Sequence, residues 1–316
     1  MPAHLDLARF TTKRGDARSL AIVAAHVAFV VAPIFLAAAA GIGWHLPACW
    51  LWFGLAMNGL LNLMHEASHY HVFTSRAASD RLGRWLLGPL ALADFDSYRA
   101  RHWDHHRRLG QPDDPKTTYH LDIHGPRLPA FLLRCLLGVE ALRRGRVQTT
   151  GDADHDPPLL SRVWVWRVLA GQALLASVLA ALAVAVHGPT RTALFAAAAA
   201  YFGVYLYGLA SLTVFAAGLR AIAEHQPGPD AAPCVGAAAL RNFRCNPLSR
   251  LILGAYGFAE HATHHDEPAI PYYHLPAATR SLAQRDPSRT PRFSYLATLG
   301  SLIARPAAPA APPRPR

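Results

Sequence analysis

Three short stretches of this chain concentrate imidazole: His65-Glu66-Ala67-Ser68-His69, His102-Trp103-Asp104-His105-His106 and His261-Ala262-Thr263-His264-His265. His225, in Glu224-His225, stands alone between the second and third. Residues three or four apart share a helix face. His65 and His69 therefore point the same way, and in each HxxHH the first histidine faces the two later ones. The expectation is two or three ligands from each box, aimed at one place. Neutral imidazole suits iron, zinc and copper. Nine such groups (His65, His69, His102, His105, His106, His225, His261, His264 and His265) exceed what one ion can use, so the pattern calls for two metals.

The first box admits other readings. His-Glu-Ala-Ser-His fits HExxH, in which two histidines hold zinc and the glutamate is the general base of a peptidase. That site needs one more ligand, not seven more histidines, so Glu66 reads better as a carboxylate holding an imidazole N–H, or as a plain interfacial charge. His71 could replace His69 as a ligand, and the spacing favours His69. Of the 18 histidines, His4, His26, His45, His120, His124, His155, His187 and His274 stand alone and read as ordinary polar or packed residues.

Something must hold these boxes, and the composition says what. Hydrophobic residues make up 52% of the 316 and charged ones 16%, well below the quarter usual in soluble domains. Four runs are long and apolar enough to span a bilayer: 20–40, 47–64, 163–186 and 192–219. In the first the only polar side chain is His26, and the second carries Asn58 and Asn62. Asn58, Asn62, His65 and His69 step by four, three and four, so this helix is expected to run past the bilayer and deliver its histidines into a bundle. Few other polar residues line the spans, which argues against a metal carrier. Four cysteines without CxxC spacing give no sign of a disulfide framework.

The net charge of +11 is explained by its placement. Segment 1–19 holds four Lys/Arg, 65–162 fourteen and 220–316 eleven, while the connections 41–46 and 187–191 hold none and one. By the positive-inside bias these counts describe two helical hairpins with both termini and the middle segment cytoplasmic. In a bacterium the membrane would be the inner one. No cleavable signal peptide is evident. The basic balance is then topology and anionic-lipid contact, not a nucleic-acid footprint. Two shorter apolar runs, 85–93 and 128–139, read as helices in the membrane interface. Residues 1–19 and 281–316 are read as tails around a 20–280 membrane domain, with a Pro/Ala/Arg-rich, disordered end.

The ordered boxes resemble those of the membrane fatty acid desaturase superfamily, with its related hydroxylases and carotenoid ketolases. The match includes Tyr98-Arg99 before the second box, Gly110, Asp114 and Pro115 after it, and Pro268, Ile270-Pro271-Tyr272-Tyr273 and Leu275-Pro276 beyond the third. Glu224-His225 resembles the family's extra ligand. The resemblance implies an all-α integral membrane protein whose four transmembrane helices carry a cytosolic helical cap. Two non-haem irons would be held by the nine histidines named above, with carboxylates such as Asp104, Glu224, Glu260 or Asp266 orienting the imidazoles, the last two reading equally as solvated charges. It further implies an O2-dependent oxidoreductase desaturating a fatty-acyl chain or lipid. Lipid or carotenoid hydroxylation or ketolation is the alternative on the same site, and a zinc metallopeptidase the remote one. The first box has three intervening residues where some branches have four. No His-Pro-Gly-Gly haem signature occurs, so electrons would come from a separate donor of ferredoxin, rubredoxin or cytochrome b5 type. Arg99, Arg101, Arg107 and Arg108 are candidates to meet an anionic head group, an acidic donor or the lipid surface.

Overall fold

The computed structural model describes residues 7–111, 113–116, 125–143, 162–225 and 240–304. Among these residues the fold is helical apart from one short strand pair. Four helices are long and apolar enough to cross a membrane: α1 (Asp16–Ala40), α2 (Leu46–Ser68), α6 (Arg162–His187) and α7 (Arg191–His225). Each of the four apolar runs lies inside one of them.

Local chemistry sets their ends. Asp16 stands in the first turn of α1, where a carboxylate complements the helix dipole. Pro47 opens α2, a position where its missing N–H costs nothing. Thr190 caps α7 by accepting from the Ala193 N–H at 3.4 Å. α1 and α2 pack as a hairpin around Ile34, Phe53, Met57 and Leu60, all buried, while much of α6 turns apolar side chains such as Trp166 and Leu174 outward. Outward apolar residues on a long helix are what a lipid environment requires.

α2 and α7 both run beyond their apolar stretches, and those extensions carry His65, Glu224 and His225. α7 contains two π-helical stretches, Ala199–Leu206 and Leu209–Thr213. Tyr201 and Tyr205 both bond Gln172 of α6, at 2.9 and 2.7 Å, and the Tyr205 hydroxyl also donates to Leu90 O at 3.1 Å.

Between the hairpins lies the first part of the cap. α3 (Arg76–Leu82) continues through a π turn, Gly83–Leu87, into Gly88–Ala91. A Cβ on Gly83 would lie 2.3 Å from the Phe95 ring, so only glycine allows this close crossing. α4 (Phe95–Arg107) starts at Asp94, whose carboxylate accepts from the Asp96 N–H at 3.0 Å. α5 (Arg127–Leu136) covers the lower part of α7 with Phe131 and Cys135. The rest of the cap comprises α8 (Pro247–Ile252), a 3-10 turn at Ala255–Glu260, α9 (His261–Asp266), α10 (Leu275–Arg285) and α11 (Tyr295–Ala304).

The ends of the chain differ from the expected tails. Position 280 falls inside α10, and the folded body continues to Ala304. β2 (Arg292–Phe293) pairs in parallel with β1 (Asn242–Phe243), Tyr295 stacks on Phe243 at 3.8 Å, and Leu302 is buried with Leu128 and Phe131. At the other end Phe10 is buried with Ile270, Leu275 and Ala278. Short amphipathic pieces of this kind carry too weak a periodic signal to separate from tail composition. Residues 305–316, expected to be disordered, lie outside the described residues.

Candidate metal centre

Helix α2 delivers His65 inward, and the turn at His69–Tyr70, with Tyr70 at φ 61°, ends it. α4 supplies His102, His105 and His106, α7 supplies His225, and α9 supplies His261, His264 and His265. All nine expected ligand residues meet in one place. They divide into two adjoining groups: His65, His69, His102, His106 and His264 in one, and His105, His225 and His265 in the other. His225 also groups with His261 and Glu224, and within each group the ligand atoms lie within 4.8 Å of one another.

This division differs from the expectation that each box aims at one place. In α4, His102 faces His106 with ring centroids 4.6 Å apart but lies 6.1 Å from His105. In α9, His261 faces His265 at 4.6 Å and lies 6.2 Å from His264. The i,i+4 pair stays together and the i+3 residue crosses to the other group. Each HxxHH thus bridges both groups, because a 3.6-residue turn places i+3 and i+4 on either side of the seam.

The donor atoms fit metal ions. His264 and His265 each bury both ring nitrogens with no hydrogen-bond partner, and His65 buries Nε2 the same way; buried polar atoms are ordinarily paired. The Nε2 of His102 lies 2.7 Å from Nε2 of His69 and 3.0 Å from Nε2 of His106. One shared proton cannot satisfy three converging nitrogens, whereas a cation takes a lone pair from each. The Nε2 atoms of His225 and His261 meet similarly at 2.8 Å.

Burial keeps the imidazoles neutral. Desolvation pushes His102, His261, His264 and His265 well below the ordinary imidazole range, with neighbouring histidines adding to the effect. It carries His106 from 6.5 down to about 3. His106 binds fewer protons folded than unfolded between those values, and the other four do so below the ordinary imidazole range, so the cluster's contribution to stability rises with pH across that window. The metal-free protein should therefore melt at progressively lower temperature as pH falls from 6.5 towards 3, and show no such trend above 6.5. A thermal-melt series in detergent checks this.

Two carboxylates fix ring orientation. Glu66, buried, accepts from Nδ1–H of His65 at 3.0 Å and of His71 at 3.1 Å, and from the Tyr272 N–H at 3.3 Å. Asp114 sits 2.9 Å from His105 Nδ1 and also accepts from the Gly110 and Lys116 N–H groups at 2.8 and 2.7 Å. One orienter thus serves each group.

A fatty acid desaturase family model matches residues 42–297. The chain belongs to the fatty acid desaturase family. Among curated proteins it is similar to the Delta(12) fatty acid desaturases of Mortierella isabellina and Mortierella alpina, 33% identical to each over 64 residues. That stretch covers 20% of this chain and 16% of each relative.

In this desaturase-family protein the orienting carboxylates are only partly those expected. Asp104 is taken by Arg107, an exposed i,i+3 pair. Glu260 is held by Arg292 at 2.9 Å. Asp266 follows His265 at the end of α9. Glu224 is a different case. Its Oε2 is buried without a hydrogen-bond partner, 4.0 Å from His261 Nε2, while Oε1 accepts from the Tyr295 hydroxyl at 3.4 Å. Asp114 stood in the sequence as a motif residue without a role; its signal was position, a carboxylate in a Gly-bearing turn just after the second box.

His71 takes Glu66 and lies outside both groups, leaving His69 as the residue in the cluster. Of the isolated histidines, His26 bonds Ala56 O at 3.1 Å, His187 bonds Ala38 O at 3.3 Å and His274 bonds Thr12 O at 3.2 Å; His45 precedes the first residue of α2. His4, His120, His124 and His155 lie outside the described residues. Of the arginines, Arg99 is committed to the fold, donating to Tyr70 at 3.0 Å and pairing with Asp80, and Arg108 pairs with Asp113 at 3.2 Å.

Proposed function

We propose that this protein is an O2-dependent di-iron oxidoreductase that desaturates a fatty-acyl chain or lipid. The observation that supports it is the convergence of nine imidazoles, seven buried and two (His106 and His265) half-buried, into two adjoining groups, each with one ring oriented by a buried carboxylate, beside the ends of the apolar helices α2 and α7. His65, His69, His102, His106 and His264 would hold one ion, and His105, His225, His261 and His265, with Glu224 alongside, the other. When bound, two reducible irons supply the oxidising power from O2 that removal of hydrogen from an unactivated C–H bond needs, which no side chain provides.

The chain's own residues hold and shield that chemistry. Glu66 and Asp114 keep a proton on Nδ1 of His65 and His105, leaving Nε2 as the ligating atom. Phe258 packs against His65 at 4.7 Å and His261 at 5.3 Å, and Tyr98 stacks on His102 at 5.8 Å. These rings exclude water from the imidazoles, which protects the reactive centre from side reactions.

The charge distribution supports a cap and both termini on the cytoplasmic side. Electrons would come from a separate ferredoxin, rubredoxin or cytochrome b5 type donor. Hydroxylation or ketolation of a lipid would begin with the same hydrogen removal. Lipid profiling of cells with and without the gene separates the outcomes. The expected product lacks two hydrogens relative to its precursor; a product gaining one oxygen would instead establish the hydroxylase reading.

A further inference from the structure

The polar residues within the first two spans do not reach the imidazole groups. His26, Asn58 and Asn62 all turn to one segment of the chain, the stretch before the third histidine box. The Asn58 amide donates to Ile252 O at 2.7 Å, and the Asn62 amide to Ala255 O at 3.1 Å. His26 Nδ1 meets the Tyr256 hydroxyl at 2.9 Å. A Cβ on Gly59 would lie 2.7 Å from the His26 ring, so this glycine leaves the room that lets His26 approach.

These anchors set depth. Asn58 lies two turns before His65 on α2, about 10 Å along the axis. His26 lies nearly three turns inside the start of α1 at Asp16, about 15 Å along it. The segment therefore leaves the level of the histidines, descends beside the spans and returns. Its return is sharp: Tyr256 and Gly257 have φ 52° and 81°, and the next turn leads into His261. Irregular backbone at membrane depth needs donors for its carbonyls, and Asn58 and Asn62 supply them. The outer side of the descent is apolar. Leu248 and Leu251 on α8 are 63% and 56% exposed. Arg244 and Arg250 beside them are exposed, with stems long enough to carry charge back to the surface.

We propose that residues 247–256 form a re-entrant wedge in the bilayer leaflet next to the cap, with Leu248 and Leu251 against lipid acyl chains. The span residues His26, Asn58 and Asn62 exist to hold it there. The wedge ties the third histidine box to the depth at which acyl chains lie.

The test uses the full chain in liposomes of phosphatidylcholine and phosphatidylglycerol. Nitroxide labels are placed by Leu248→Cys and Leu251→Cys after the four native cysteines are replaced by alanine. Leu36→Cys on α1 and Arg280→Cys on α10 serve as lipid and water references; both positions are exposed. Collision with oxygen, which concentrates in lipid, is compared with collision with a water-soluble nickel chelate. The expected oxygen-to-nickel ratio at 248 and 251 matches that at 36 and exceeds that at 280. A ratio matching position 280 places the segment in water and overturns the proposal. Shielding from both reagents indicates a protein partner, such as a second copy of the chain, and overturns it equally. Asn58→Leu, which removes the donor to Ile252, should shift the ratio at 251 towards the water reference.

Discussion

His264→Ala should leave the purified protein with one metal ion per chain in place of two, and with no detectable turnover. His264 lies between His65 and His69, with ring centroids 4.6 Å from each, and 5.1 Å from His106. Its two nitrogens are buried and unpaired. Changing a residue that merely orients a ligand costs about 10–100-fold in affinity or activity, and loss of a ligand itself should exceed that. The membrane helices do not depend on this ring, so insertion and yield should hold.

His265→Ala, one residue along, should remove the other ion. His264 and His106 share a group although they come from different boxes, so their double variant should still hold one ion. His264 and His265 are neighbours in sequence but belong to different groups, so their double variant should hold none. Metal analysis of the four proteins checks the assignment. Two ions retained in His264→Ala would overturn it, and so would a double His264/His106 variant that loses both.

This partition shows where the sequence stops being informative. Residue type and spacing single out eight of the nine imidazoles, because i,i+3,i+4 placement on a helix is local geometry; His225 stands alone in the sequence and is singled out by the family resemblance. They do not say which of the two later histidines crosses the seam. That depends on how α4 and α9 face one another, a tertiary relation without a local signal. Asn58 and Asn62 make the same point. Their period matches that of His65 and His69, so they read as one polar stripe leading to the metals, yet the structure turns their amides to Ile252 and Ala255. Asp114 illustrates the converse. Its partner His105 is in the preceding helix, but only the Gly110 turn, with its φ of 70°, brings the carboxylate back to the ring. The spans were legible because apolar length is a one-dimensional property. The ends beyond 280 were not, because their burial comes from β1–β2 pairing and from Phe243, Leu128 and Phe131, all distant in sequence.

Glu66→Gln should lower affinity for the ion at the first group by about 10–100-fold. Glu66 accepts from two imidazole N–H groups through separate oxygens and from one backbone N–H. Glutamine retains one carbonyl oxygen and presents an NH2 where the second carboxylate oxygen was, so either His65 or His71 meets a donor instead of an acceptor. If His65 does, its Nδ1 must accept and the proton moves to Nε2, the atom that would ligate. The substitution is nearly isosteric, so helix α2 should persist and the second ion, proposed to sit at His105, His225, His261 and His265, should remain. The same variant decides the HExxH reading. A peptidase whose Glu66 served as general base would keep its metal at full affinity and lose only activity, since that base acts on water and does not hold a ligand. Here the carboxylate is saturated by His65, His71 and Tyr272, so metal and activity should fall together. Metal titration of Glu66→Gln against Glu66→Asp reads the difference: Asp, which retains both acceptors on a shorter stem, should recover part of the affinity that Gln loses.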